Sequence, residues 1–137
     1  MTTDLEKTLE QLENEVWGDV EDESYLIDTC KRLRKTPISQ FTAEDFRIMI
    51  GQDISLDILI PLAMDMLSQN ILAEGHFYAG DLLVSVITSE EAFWKKNKGI
   101  WIAMLALIEK NMAAIEADDP FKILRKHIAN FRKIHAA

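Results

Sequence analysis

Apolar positions recur along this chain at helical spacing. Leu5, Leu9, Leu12 and Val16 fall on one helical stripe that ends before Trp17 and Gly18, and Asp19 to Glu23 form an acidic connector. A second helix starts near Ser24 and turns Leu26, Ile27, Cys30 and Leu33 inward. It stops before Pro37, because a residue ahead of proline is pushed out of helical geometry. Thr42 with Asp45 three residues later reads as an N-cap pair, opening a short helix through Phe46, Met49 and Ile50 that Gly51 can end. Ile58, Leu59, Leu62, Met66 and Leu67 mark a helix from about Ser55 to Ser68, kinked if Pro61 is internal.

Asn70 to Leu83 interrupts this rhythm with a compact knot. Gly75 and Gly80 bracket His76, Phe77 and Tyr78, giving permissive backbone on both sides of bulky rings. A connection so aromatic either packs into the core or presents a surface. Asp81 to Val86 then predicts a short apolar helix, with a strand as the alternative its β-branched residues leave open. Ser89 is placed to cap a helix beginning Glu90-Glu91, and Asn97-Lys98-Gly99 breaks it. Ile100, Trp101, Met104, Leu105, Ile108, Met112 and Ile115 predict one long amphipathic helix. Asp118-Asp119-Pro120 caps a last helix that buries Phe121, Leu124, Ile128 and Phe131. The expectation is an all-α single domain over residues 1–137, a bundle of about seven helices.

With 137 residues the chain buries roughly two thirds of the surface it exposes when unfolded. Its N-terminus is acidic, unlike a secretory signal, and Pro61 interrupts the longest apolar run, Ile58 to Met64, far short of the roughly 20 residues of a membrane span. The single cysteine, Cys30, excludes an intrachain disulfide and fits a reducing, cytoplasmic setting. Charge is unevenly spread. Residues 1–28 carry ten carboxylates against Lys7 alone, and residues 36–94 carry nine against Arg47. Lys31, Arg32, Arg34 and Lys35 lie between them, and Lys122, Arg125, Lys126, Arg132 and Lys133 make the C-terminus basic. An acidic body repels nucleic acid and attracts basic proteins.

Few residues invite chemistry. His76, His127 and His135 have no partners at metal-ligand spacing, so no metal or other cofactor is expected. Cys30 reads either as a thiolate activated by Lys31 and Arg32 or as a small buried hydrophobe, and its apolar stripe favours the second. No nucleophile elbow, phosphate loop or dinucleotide turn occurs, which removes the reason to propose an enzyme. Trp94 and Trp101 read as core, and Trp17, at a helix end, as an aromatic anchor.

Several blocks then combine. Leu26-Ile-Asp-Thr-Cys-Lys-Arg-Leu-Arg-Lys-Thr-Pro37, Phe41-Thr-Ala-Glu-Asp-Phe-Arg-Ile-Met-Ile-Gly-Gln52, Leu59-Ile-Pro-Leu-Ala-Met64, the knot and Phe93-Trp94 follow in order. Together they resemble bacterial contact-dependent growth inhibition immunity proteins, best between Cys30 and Leu83 and over about residues 1–108. Residues 109–137 extend beyond, and His76 and Ala79 stand where the family suggests an acid and a proline. The resemblance implies a partner, the C-terminal toxin domain delivered by a neighbouring cell, most often a nuclease. It implies a one-to-one complex, with neither nucleic acid nor membrane bound. The acidic runs Asp19, Glu21, Asp22 and Glu23, and Asp53, Asp57, Glu74 and Asp81, sit on connectors or helix ends where side chains can project. With His76 and Tyr78 they form the expected contact set. A helical adaptor or oligomerisation module is the alternative, and a helical nucleic-acid-binding regulator ranks third because of the acidic charge.

Overall fold

The computed structural model of the chain describes residues 4–17, 24–119 and 122–135, and every regular element among them is helical. α1 (Leu9–Glu13) is a single turn: Thr8 and Gln11 form a reciprocal capping box, and Asn14 ends it in the left-handed region at φ 52°. Leu9 is fully buried, but the expected stripe does not extend to Leu5 or Val16, which are 42% and 74% exposed. Both lie outside the turn, so helical spacing does not bring them to its inner face. α2 (Tyr25–Arg34) begins at Ser24, whose hydroxyl accepts the Ile27 N–H; Cys30 and Leu33 face the core, but Leu26 and Ile27, also expected inward, stay 37% and 41% exposed in the first turn. The acidic connector from Asp19 to Glu23, with Pro120 and Phe121, lies outside the described residues.

After a 3-10 turn (Ile38–Gln40), α3 (Ala43–Gly51) starts with the expected Thr42–Asp45 capping box. α4 (Leu56–Gln69) carries Pro61 in its interior, where the ring removes a helical N–H donor. α5 (Asp81–Ile87) is a helix, which closes the strand alternative. α3 and α5 lie side by side and parallel. Glu44 and Arg47 meet the start of α5 at Asp81, while the carboxylate of Asp53, just past α3, reaches Glu90, just past α5. This pair forms the centre of the core, with Phe46, Met49, Ile50, Leu82, Leu83 and Val86 buried along it.

α6 (Glu91–Lys96) and α7 (Lys98–Lys110) follow. Ser89 does not cap α6: its hydroxyl donates to the Val86 carbonyl and accepts the indole N–H of fully buried Trp94. Satisfying that buried donor takes the serine away from the helix end. The long helix expected from Ile100 to Ile115 divides at Asn111 into α7 and α8 (Met112–Ala117). The Asn111 amide donates back to the Leu107 carbonyl, a side-chain bond that competes with the helical ladder. That division helps bring the count to nine α-helices among the described residues. α9 (Ile123–Arg132) lies on α5 and buries Leu124, Ile128 and Phe131, with Phe131 edge-on to Trp94 at 4.8 Å. The cap expected at Asp118-Asp119-Pro120 is displaced: the helix starts only at Ile123, after Lys122 in the left-handed region, and the Asp119 carboxylate reaches forward to take the N–H groups of Leu124 and Arg125.

Candidate protein-binding face

The knot is held from below by two carboxylates. Asp81 accepts the N–H of Gly75 at 2.6 Å and of Phe77 at 3.0 Å, and Glu44 accepts the N–H of His76 at 2.9 Å. Three successive backbone donors are thereby satisfied from α5 and α3. Arg47 completes the arrangement: it forks onto Glu44 with two 2.6 Å bonds, and its Nε lies 3.9 Å from Asp81. The guanidinium also covers the Phe77 ring, 4.3 Å from the centroid. The arginine's fork holds Glu44 below the usual carboxylate range, against the opposing effect of burial and with help from the His76 N–H. Reciprocally, Glu44 raises Arg47.

This arrangement requires glycine at position 75. A Cβ there would sit 2.5 Å from a Glu44 carboxylate oxygen and 3.1 Å from one of Asp81. Gly80, at φ +92°, turns the chain into α5. With the backbone tied down, the side chains between the glycines point out. Phe77 is 69% and Tyr78 41% exposed, and His76 is exposed beside Glu44, its Nδ1 at 3.4 Å. Burial of the inner part of Tyr78, and the Asp81 charge, push its phenol pKa up.

The opposite end of the α3/α5 pair is built differently. Asp53 takes the left-handed region at φ 56° and accepts the Glu90 N–H at 2.8 Å, which ties the α3–α4 connection to the start of α6. Glu13, Asp53, Asp57 and Glu90 line an open depression of about 540 Å³ whose apolar lining comes from Leu56 and Phe93, with Lys96 at its edge. Behind it the buried Arg34 pairs with Glu13, donates to the Glu15 carbonyl at 2.9 Å and stacks over Trp17 at 4.5 Å. Ser55 donates to Glu13 at 2.9 Å.

The expected contact set therefore falls into two groups. Glu74, His76 and Tyr78 project at the knot, and Asp53 and Asp57 are exposed at the groove. The nine residues of α3 separate the two by roughly 13 Å at 1.5 Å per residue. Asp81 is the correction: it is 3% exposed and does not project, because its carboxylate is consumed by the knot's own N–H groups. Asp19, Glu21, Asp22 and Glu23 lie outside the described residues. Trp17 is half-buried and covered on one face by Arg34.

Three features were missed from sequence. Phe77 is more exposed than Tyr78, yet it was signalled only by its place between the glycines. Glu44 and Arg47, spaced i to i+3 on a predicted helix, were legible as a pair but not as the knot's support. Glu90 and Glu13 join the groove through long-range folding, which no local pattern reveals. Cys30 is 3% exposed and burial raises its thiol pKa, so the activated-thiolate reading falls. Among the described residues no group of His, Cys, Asp and Glu could hold a metal ion, and no helix is long and apolar enough to cross a membrane.

A family model describing CDI immunity proteins matches residues 11–104, well over half of the chain. The chain belongs to the CDI immunity protein family. The matched span of this immunity protein runs from α1 into α7 and includes both the knot and the groove; α8 and α9 lie beyond it. No curated protein and no solved structure matches the chain.

Proposed function

We propose that this immunity protein neutralises a CDI effector by binding its C-terminal toxin domain one to one, in the cytoplasm of the cell it protects, without turnover of its own. The toxin is a basic nuclease, and binding occludes the groove it uses for nucleic acid. The observation that carries the reading is the outward display of His76, Phe77 and Tyr78 on a backbone fixed by Glu44 and Asp81. Aromatic side chains ordered before binding lose little conformational freedom when they dock, so more of their contact energy appears as affinity. The exposed carboxylates of the groove supply the complement to a cationic surface, raising the association rate and imitating phosphates. Asp19, Glu21, Asp22 and Glu23 extend that negative field in sequence.

The test is titration of the cognate toxin domain while its cleavage of RNA and DNA is followed. Activity should fall linearly and vanish at one equivalent. A toxin left active at excess immunity protein, with no complex in sedimentation, would remove the reading and favour a helical adaptor.

A further inference from the structure

α7 lacks the polar outer face that a helix on the surface ordinarily carries. No charged residue occurs from Gly99 to Ile108. Met104 and Ile108 are buried on one side, yet Gly99, Ile102, Ala103 and Ala106 are exposed on the other. These four recur at i, i+3, i+4 and i+7, so they form a second apolar stripe that faces water. Ile102, within it, is 53% exposed, and a Cβ built on Gly99 would meet nothing within 4 Å. α4 is just as apolar, but its exposed residues are Asp57, Asp65, Ser68 and Gln69, all polar. A helix that is apolar all round is ordinarily buried.

We propose that two copies of this protein associate through the outer face of α7, antiparallel about a two-fold axis, with Ile102 of each copy against Ala106 of the other. The charges at the ends of the stripe name the occupant. Lys98 and Glu109 are both exposed and eleven residues apart. Eleven residues make close to three turns of about 3.6 residues, so the two lie on the same flank of the helix. When helices pack antiparallel, like flanks face each other with their ends reversed. Each Lys98 then meets the other copy's Glu109, and the helix dipoles oppose. Glu109 already takes Arg132 within its own chain, but a carboxylate accepts from several donors.

Lys110 closes the stripe, three turns beyond Gly99. In the antiparallel pair its stem falls beside the other copy's Gly99, where the missing side chain leaves room for it. A parallel pair would set Lys110 against Lys110, and a basic toxin would meet Lys98 and Lys110 as like charges. The interface is isologous, and it is small. The 13 residues of α7 span only about 20 Å, too little to bury the roughly 1,200 Å² of a standard-size interface, so the dimer is weak.

Sedimentation of the protein alone tests this without any toxin. Physiological ionic strength suits it, because a Debye length of about 8 Å largely screens the −8 charge of each copy. Wild type should be half associated on the order of 50 μM, followed from tenfold below to tenfold above that concentration. Ile102→Asp should abolish association. Lys98→Glu and Glu109→Lys should each weaken it about fivefold, and the variant carrying both should return to within twofold of wild type. A single 15.7 kDa species at every concentration overturns the proposal. Association that Ile102→Asp leaves unchanged, or a double variant no better than the single ones, overturns it equally. Each of these failures leaves the toxin-binding reading standing. Toxin binding lost in Ile102→Asp, with wild type monomeric throughout, would give the face to the toxin instead.

Discussion

At the knot end of the α3/α5 pair, Glu44 and Asp81 point inward and the rings of the knot point out. At the groove end, Asp53, Asp57 and Glu90 are exposed, and Leu56 and Phe93 line the wall beside them. Asp81 and Asp57 show the contrast most simply. Both are aspartates in the first turn of a helix, yet Asp81 is 3% exposed and bonded to two backbone N–H groups, while Asp57 is open to solvent. An acidic residue at a helix start thus serves as scaffold where a loop folds over it and as surface where none does. Folding fixes the first kind; only the second is available to a partner.

The largest effects should come from disturbing the inward carboxylates. Asp81→Ala leaves the Gly75 and Phe77 N–H groups without an acceptor and removes a charge from Arg47, a loss of about 3 kcal/mol. Asp57→Ala should stay within about 0.5 kcal/mol of wild type. Urea denaturation of the two variants measures the difference, and equal stabilities would erase the distinction between the ends.

Glycine substitutions sharpen the same contrast. Gly75→Ala drives a methyl group against the Glu44 carboxylate at 2.5 Å. The overpacking should cost about 2 kcal/mol. Gly99, in the first turn of α7, has nothing within 4 Å of its Cβ position, so Gly99→Ala should be neutral or gain about 0.5 kcal/mol of helix stability. Thermal melts of both variants check the pair, and a neutral Gly75→Ala would mean that the two carboxylates do not hold the knot closely.

The helices were legible where a local rule acts alone. The Thr42–Asp45 box, the start of α2 near Ser24 and the burial of Cys30 and Leu33 needed only spacing and side-chain chemistry, although Leu26 and Ile27 of the same expected stripe stay exposed. The expectation failed where a distant partner competes. Ser89 looks like a cap until the Trp94 indole claims its hydroxyl, and Asp81 looks like a projecting acid until the knot folds onto it. Of the candidate face, the bracketing glycines advertised the rings. What remained hidden was that Glu44 and Asp81 arrive from two helices to hold the loop, and that Glu13 and Glu90 converge with Asp53. Those are consequences of packing α3 parallel to α5, which no periodicity encodes.

A smaller effect follows acidity. Glu44 is depressed in the folded state, so it stabilises the protein above its unfolded pKa of about 4.3. That contribution is lost as pH falls through the lower folded value. Asp119 behaves in the same sense: burial raises its pKa, but the Leu124 and Arg125 N–H groups and the Arg125 guanidinium outweigh it and lower the value overall. Melting temperature should hold near neutral pH and fall below about pH 4. Glu44→Gln should start lower and show a shallower acid slope. An unchanged slope would mean that the knot's ion network contributes nothing to acid sensitivity.

Toxin-binding kinetics across salt test the two-ended account most directly, comparing wild type, Asp57→Lys with Glu90→Lys, and Phe77→Ala with Tyr78→Ala. The groove variant should slow association several-fold at low salt, and the deficit should shrink as the Debye length falls from about 30 Å at 0.01 M to about 8 Å at physiological ionic strength. The knot variant should associate at nearly the wild-type rate and dissociate much faster at every salt concentration, because its rings supply short-range contact. Complex formation that neither variant alters would contradict the account and place the interface elsewhere on the molecule.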